Sequence, residues 1–153
     1  YLVLPLVASG QGEADEDGAE MALWLSPLSA WRLRGSYTYA LLSRKPVPGS
    51  VEGGATLPGF PPRHRGYVES QVDLTRAWSF DQTVRYVDGL PRTTVGPYTE
   101  LDLRLAWRPA PGVRIGVEGA NLLHAQHAEF ARDVLYLPAE VERSGALFLN
   151  VRF

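Results

Sequence analysis

Apolar and polar residues alternate with a period of two along three stretches at the end of the chain. In Tyr98–Trp107, Leu101, Leu103, Leu105 and Trp107 share one face, and Glu100, Asp102, Arg104 and Ala106 share the other. After Arg108-Pro-Ala-Pro-Gly112 the alternation restarts, with Val113, Ile115 and Val117 opposed by Arg114 and Glu118. The last stretch sets Leu147, Leu149, Val151 and Phe153 against Ala146, Asn150 and Arg152. Side chains alternate across a strand, whereas a helix repeats about every 3.6 residues, so these are strands. None of the three apolar faces carries a charge.

The same reading extends upstream and gives about eight strands in all. Residues 2–8 are apolar but contain Pro5, which lacks a ladder donor, so they read as an edge strand. Gly10–Gly18 is strongly acidic and reads as a solvated loop. Calcium is not assigned there, because the EF-hand spacing and flanking helices are missing. Glu20–Leu25 aligns Met21, Leu23 and Leu25, and Ser26-Pro-Leu-Ser29 reads as a tight turn. Trp31–Leu41 sets Trp31, Leu33, Tyr37, Tyr39 and Leu41 against Arg32, Arg34, Ser36 and Thr38. A Gly- and Pro-rich loop is expected from about Leu42 to Arg63. Strands follow from His64 to about Thr75 and from Trp78 to about Asp88, where Gln82 interrupts the apolar face. Loops are expected at Gly89–Gly96 and from about Asn121 to Glu142.

An alternating sheet has two physical readings. A soluble sheet hides its apolar face in a core. A transmembrane barrel turns that face to lipid and its polar face to the lumen. The connections favour the barrel, because they alternate long and short and every short turn falls at one end. The short ones are Ser26–Ala30, Arg76–Ala77 and Arg108–Gly112. Outer-membrane barrels have short periplasmic turns and longer extracellular loops. Trp24, Trp31, Trp78 and Trp107 lie next to the short turns, and Phe153 belongs at the same end. Trp prefers a membrane interface, where its ring is apolar and its N–H is wet. Trp24 is the exception in this girdle, since alternation points it inward.

Composition narrows the field further. The 153 residues have no cysteine, so neither disulfides nor thiol chemistry enter. Formal net charge is -2 and no basic block stands out, so no nucleic acid is expected. No apolar run approaches the roughly 20 residues of a membrane helix. Mean hydropathy of -0.13 suits strands that are only half apolar.

In Trp31-Arg-Leu-Arg-Gly-Ser-Tyr-Thr-Tyr39, Arg85-Tyr-Val-Asp-Gly-Leu-Pro91, Tyr98–Trp107, Gly119-Ala-Asn-Leu-Leu123 and the closing Leu149-Asn-Val-Arg-Phe153, the chain resembles the C-terminal part of TonB-dependent outer-membrane receptors. The likeness runs from Glu20 onward. That family often has Asp after Asn-Leu-Leu, where this chain has His124. The resemblance implies an all-β, antiparallel up-and-down transmembrane segment of a barrel of about 22 strands. Residues 1–153 are then expected to form the C-terminal part of that barrel, with the plug domain outside them. The implied function is TonB-energised uptake of a scarce nutrient, such as a ferric siderophore, in the outer membrane of a Gram-negative bacterium. The implied partners are outer-membrane lipid, the small-molecule ligand, and TonB through an N-terminal segment not among these residues. Two alternatives stay open: a small closed eight-stranded barrel with a structural or passive role, and a soluble lipocalin-like ligand-binding barrel.

No catalytic constellation is present, and an enzyme is not expected. There is no nucleophile elbow, phosphate loop or zinc helix motif, and no cofactor is expected. His124-Ala-Gln-His127 with Glu129 has metal-binding residue types, but it falls in an expected loop and no metal site is assigned. Loops carry function, so His64, Arg92, His124, His127 and Arg132 are the candidate ligand contacts at the barrel mouth. The charges on the polar faces are expected to pair across strands.

Overall fold

The computed structural model describes residues 12–46, 61–91, 93–130 and 139–152. Within them the strands are β1 (Gly12–Leu28), β2 (Trp31–Pro46), β3 (His64–Asp73), β4 (Trp78–Val87), β5 (Tyr98–Ala110), β6 (Val113–Ala120), β7 (Gln126–Phe130), β8 (Ala139–Glu142) and β9 (Ser144–Val151). Seven of them form one sheet in the order β1-β2-β3-β4-β5-β6-β9, and β7 pairs with β8 apart from it. All pairs are antiparallel. This is the expected up-and-down meander. Among the described residues β1 and β9 are edges that do not meet, so the sheet is open. The strand expected at residues 2–8 and the aromatic Phe153 lie outside the described residues.

Three expected loops need correction. The acidic Gly10–Gly18 stretch is strand from Gly12 onward, with Glu13 opposite Lys45, Asp15 opposite Ser43 and Asp17 opposite Leu41. Likewise β2 runs on to Pro46, so Leu42–Pro46 of the expected loop is strand. The loop expected over Asn121–Glu142 contains the β7–β8 hairpin. The cause is the same in each case. Backbone pairing needs no apolar face where both faces of a strand are wet, so the alternation that announces a membrane strand disappears.

A transmembrane strand needs about 9–11 residues. The 10 residues of β3 and β4 match that length. At 17 and 16 residues, β1 and β2 project beyond it at the end of the long connections. The short turns, residues 29–30, 74–77 and 111–112, all lie at the opposite end. The last uses Gly112 at φ 79°, a region that L side chains rarely adopt.

Register aligns the apolar positions into a belt. One row runs Trp31, Val72, Phe80, Leu105, Val117 and Leu147, and another runs Leu23, Gly35, Val68, Val84 and Leu101. Aromatic residues bound the belt at both ends. At the short-turn end Trp78 lies opposite Trp107, their rings stacked 5.8 Å apart, and the Trp31 indole N–H donates to Ser70 Oγ at 3.0 Å. At the other end Tyr37 and Tyr86 flank Gly66, and Tyr39 lies opposite His64. Trp78 and Tyr86 are separated by roughly 27 Å of strand. At a tilt of about 40° this spans roughly 20 Å of membrane, close to the apolar band of such barrels. Trp24 lies opposite Arg34, on the polar face, as its alternation predicts.

Burial is inverted relative to a soluble sheet. Leu147 is 84% exposed, Met21 66% and Val68 56%. Meanwhile the polar-face residues Glu100 and Ser79 are each only 5% exposed. The buried hydrophobic residues among those described are Ala40, Val95 and Ala106, too few and too small for a core. The sheet therefore has an apolar outside and a polar inside, which is the barrel arrangement.

Candidate ligand site on the polar face

The polar face carries a ladder of opposite charges set by register. Arg34 pairs with Glu69 at 3.5 Å and Arg104 with Glu118 at 3.7 Å. Asp73 bridges two strands, holding Arg32 at 3.4 Å and Arg108 at 3.3 Å near the short turns. Arg104 also lies 4.2 Å above the ring of Phe148. A trough of about 460 Å³ opens on this face, lined by Glu69, Gln71, Asp81, Thr83, Asp102 and Arg104. Exposed pairs of this kind each contribute about 0–1 kcal/mol, so their main effect is to orient the side chains.

Near the long-connection end the arrangement is tighter. Arg85 on β4 lies opposite Glu100 on β5 and pairs with its Oε2. The β7–β8 hairpin sits against this end of β5. It brings His127 Nε2 to 3.5 Å from Glu100 Oε1 and 3.3 Å from Glu129 Oε1. Tyr98, the first residue of β5, stacks on the His127 ring at 4.2 Å, and its hydroxyl donates to Glu129 at 3.4 Å. The side chains of His127 and Glu100 are almost fully buried, 8% and 7% exposed.

The sequence candidates separate in space. His127 belongs to the buried polar cluster. His124 is exposed beside it, its ring edge-on at 6.3 Å from that of His127. His64 lies on the other face, its Nδ1 2.6 Å from the Tyr37 hydroxyl and its ring against Tyr39, within the aromatic boundary of the apolar belt. Arg92 and Arg132 lie outside the described residues. Sequence reasoning missed Glu100, Tyr98 and Arg85 as members of one site. Their alternation placed each on the polar face, but only the register and the hairpin reveal that they meet His127.

The sequence matches the family described as TonB dependent receptor-like, beta-barrel, over residues 4–122. The chain belongs to that family. TonB-dependent receptor barrels are outer-membrane receptors and transporters of Gram-negative bacteria, not enzymes. Two solved structures carry the same fold. The ferric-catecholate import receptor Fiu from K12 E. coli, in its closed form, superposes with a TM-score of 0.74 at 20% identity, covering 93% of this chain and 21% of that one. The siderophore receptor PiuA from Acinetobacter baumannii gives 0.76 at 19% identity, covering 92% of this chain and 22% of that one. The chain thus spans about a fifth of the length of these receptors. No curated protein matches the sequence.

The chain's Gly119-Ala-Asn-Leu-Leu123 segment explains how the hairpin is held. Asn121 adopts φ 53° directly after β6 and is 2% exposed. Its backbone N–H donates to Asp102 Oδ1 at 2.9 Å, and its Nδ2 donates to the Val141 carbonyl on β8 at 3.0 Å. Leu122 N–H donates to the Leu101 carbonyl at 2.9 Å, tying the turn to β5. Asn is the non-glycine residue best suited to a left-handed turn that also needs a side-chain donor. Asn121→Ala is therefore expected to cost about 2–3 kcal/mol, from backbone strain plus a lost buried hydrogen bond. Asn121→Gly removes only the side-chain bond and should cost about half as much. Urea unfolding of the full-length receptor in lipid vesicles checks the ordering, and equal losses for the two variants would remove the backbone argument.

Proposed function

We propose that this chain is the C-terminal part of the barrel of an outer-membrane receptor that takes up a scarce nutrient, energised by TonB. The ligand class that we favour is a ferric siderophore or a similar chelate. TonB would act through an N-terminal segment outside these residues, and outer-membrane lipid would cover the apolar belt. The observation that carries this reading is the polar inner face, overlain at its long-loop end by the β7–β8 pair, which brings the buried His127 side chain onto the buried Glu100 of β5. The two structural neighbours named for ferric-catecholate import and siderophore reception support the ligand class. His127 is the proposed ligand contact with the strongest support, with His124 beside it. Arg92 and Arg132 are proposed as further contacts from the loops, and His64 as a rim residue at the aromatic boundary. The experiment is growth of the native bacterium on single ferric siderophores as the iron source. Deleting the full-length gene should abolish growth and labelled-iron uptake with at least one of them. Unchanged uptake of every siderophore tested would reject the ligand class.

Orientation is tested separately. The long loops should face outside the cell and the short turns the periplasm. An epitope tag at Gly54 of the full-length receptor should be labelled on intact cells, and a tag at Ala110 should not. The reverse labelling would invert the topology.

A further inference from the structure

We propose that Glu100, His127 and Glu129 form a binding site for a divalent transition-metal ion of the zinc class. This does not rest on the siderophore reading. Glu100 Oε1, His127 Nε2 and Glu129 Oε1 converge from two separate elements, β5 and β7, with all their ligand atoms within 4.8 Å of one another.

The distances suit coordination as well as hydrogen bonding. The two separations from His127 Nε2 are 3.3 Å, a long hydrogen bond to Glu129, and 3.5 Å, beyond the usual N–H···O range of about 2.7–3.2 Å. Nitrogen and oxygen ligands at about 2.0–2.2 Å from a tetrahedral zinc lie about 3.3–3.5 Å apart, the edge of the tetrahedron. Charge also fits. Among the described residues two carboxylates meet here with one guanidinium, that of Arg85, which pairs with Glu100 Oε2. This leaves Oε1 free to point at the imidazole. A partner that fixes one carboxylate oxygen while the other binds metal is the usual outer-shell arrangement. The Tyr98 hydroxyl donates to Glu129 Oε1 itself, at 3.4 Å, and so holds that oxygen beside the imidazole. The His127 side chain is more than nine-tenths buried, and Nε2 is the ring nitrogen that faces the two carboxylates, Nδ1 having no hydrogen-bond partner among the described residues. Three protein ligands leave a fourth position, the pattern of sites that accept an exchangeable ligand.

Softness and geometry choose the ion class. One imidazole and two carboxylates suit zinc and its first-row neighbours better than magnesium or calcium, which take six or more oxygens. The chemistry needs no redox step and no bond to be made or broken in the ion's partner.

The test uses the purified full-length receptor, stripped with a chelator and titrated with Zn²⁺ against a chromophoric competitor. Wild type is expected to bind one more equivalent than Glu129→Gln or His127→Ala, or to bind it at least tenfold more tightly. Glu140→Gln, on the hairpin face opposite to His127, should bind as wild type does. Co²⁺ in place of Zn²⁺ should give the intense visible bands of a tetrahedral site in wild type and not in the two variants. Heat-modifiable migration reports whether each variant is folded. Glu129 is partly exposed, so Glu129→Gln decides alone if His127→Ala does not fold. Equal Zn²⁺ binding by wild type and Glu129→Gln would overturn the proposal and leave the cluster as a hydrogen-bonded polar network.

Discussion

Leu103→Arg is expected to destabilise the full-length receptor in lipid by about 2–4 kcal/mol. Leu103 lies midway along β5 between Trp107 at one aromatic boundary and Thr99, which is registered with Tyr86 at the other. Its neighbours across the strands are Gln82 and Gly119. A cation there meets the bilayer midplane, far from either interface. Leu103→Ala should be milder, because acyl chains fill the missing volume. In a packed protein core the same truncation would leave a cavity and cost about 2–5 kcal/mol. The ratio of the two losses, from reversible unfolding in vesicles, is therefore diagnostic. Near-equal, large losses would mean that this face is packed against protein, and the outward assignment of the apolar belt would fall.

The strands inside the membrane were legible because lipid on one side and water on the other force a strict alternation. Leu101–Trp107 and Val113–Val117 read correctly for that reason, and register preserved their faces across the sheet. Legibility failed where that contrast ends. Ala14–Asp17 are wet on both faces and Gln126–Glu129 lie over the polar inside, so these residues carry no alternating apolar signal. Their strand structure comes from a neighbour that supplies the ladder, Leu41–Lys45 in one case and Ala139–Glu142 in the other.

The site was legible only in part, for a related reason. His127 was singled out by residue type, but its partners Glu100 and Arg85 are 27 and 42 positions away in sequence. No local pattern links them. His64 shows the opposite case. It lies an even number of residues from Val68 and Val72, so its alternation already assigned it to the apolar face, where it packs against tyrosines. Treating it as the end of a loop concealed that assignment. Positions at strand ends are therefore better judged by parity than by proximity to a loop.

The buried end of the charge ladder carries the largest expected effect. Arg85 and Glu100 face each other across β4 and β5, but their environments differ: the Arg85 side chain is 47% exposed and that of Glu100 only 7%. Arg85→Leu strips the guanidinium and leaves a buried carboxylate beside that of Glu129, with the His127 imidazole as the hydrogen-bonding group facing both among the described residues. Breaking a buried pair in this way is expected to cost about 3–5 kcal/mol. Glu100→Leu leaves a guanidinium that water still reaches, so its cost should be on the order of 1 kcal/mol. The double variant Arg85→Leu with Glu100→Leu removes both charges and should recover most of the loss, because no uncompensated charge remains. Unfolding of the three full-length variants in metal-free vesicles gives the coupling directly. Equal single losses of about 1 kcal/mol would mean that water reaches Glu100 freely, and the dry, closed end of the polar face would have to be given up.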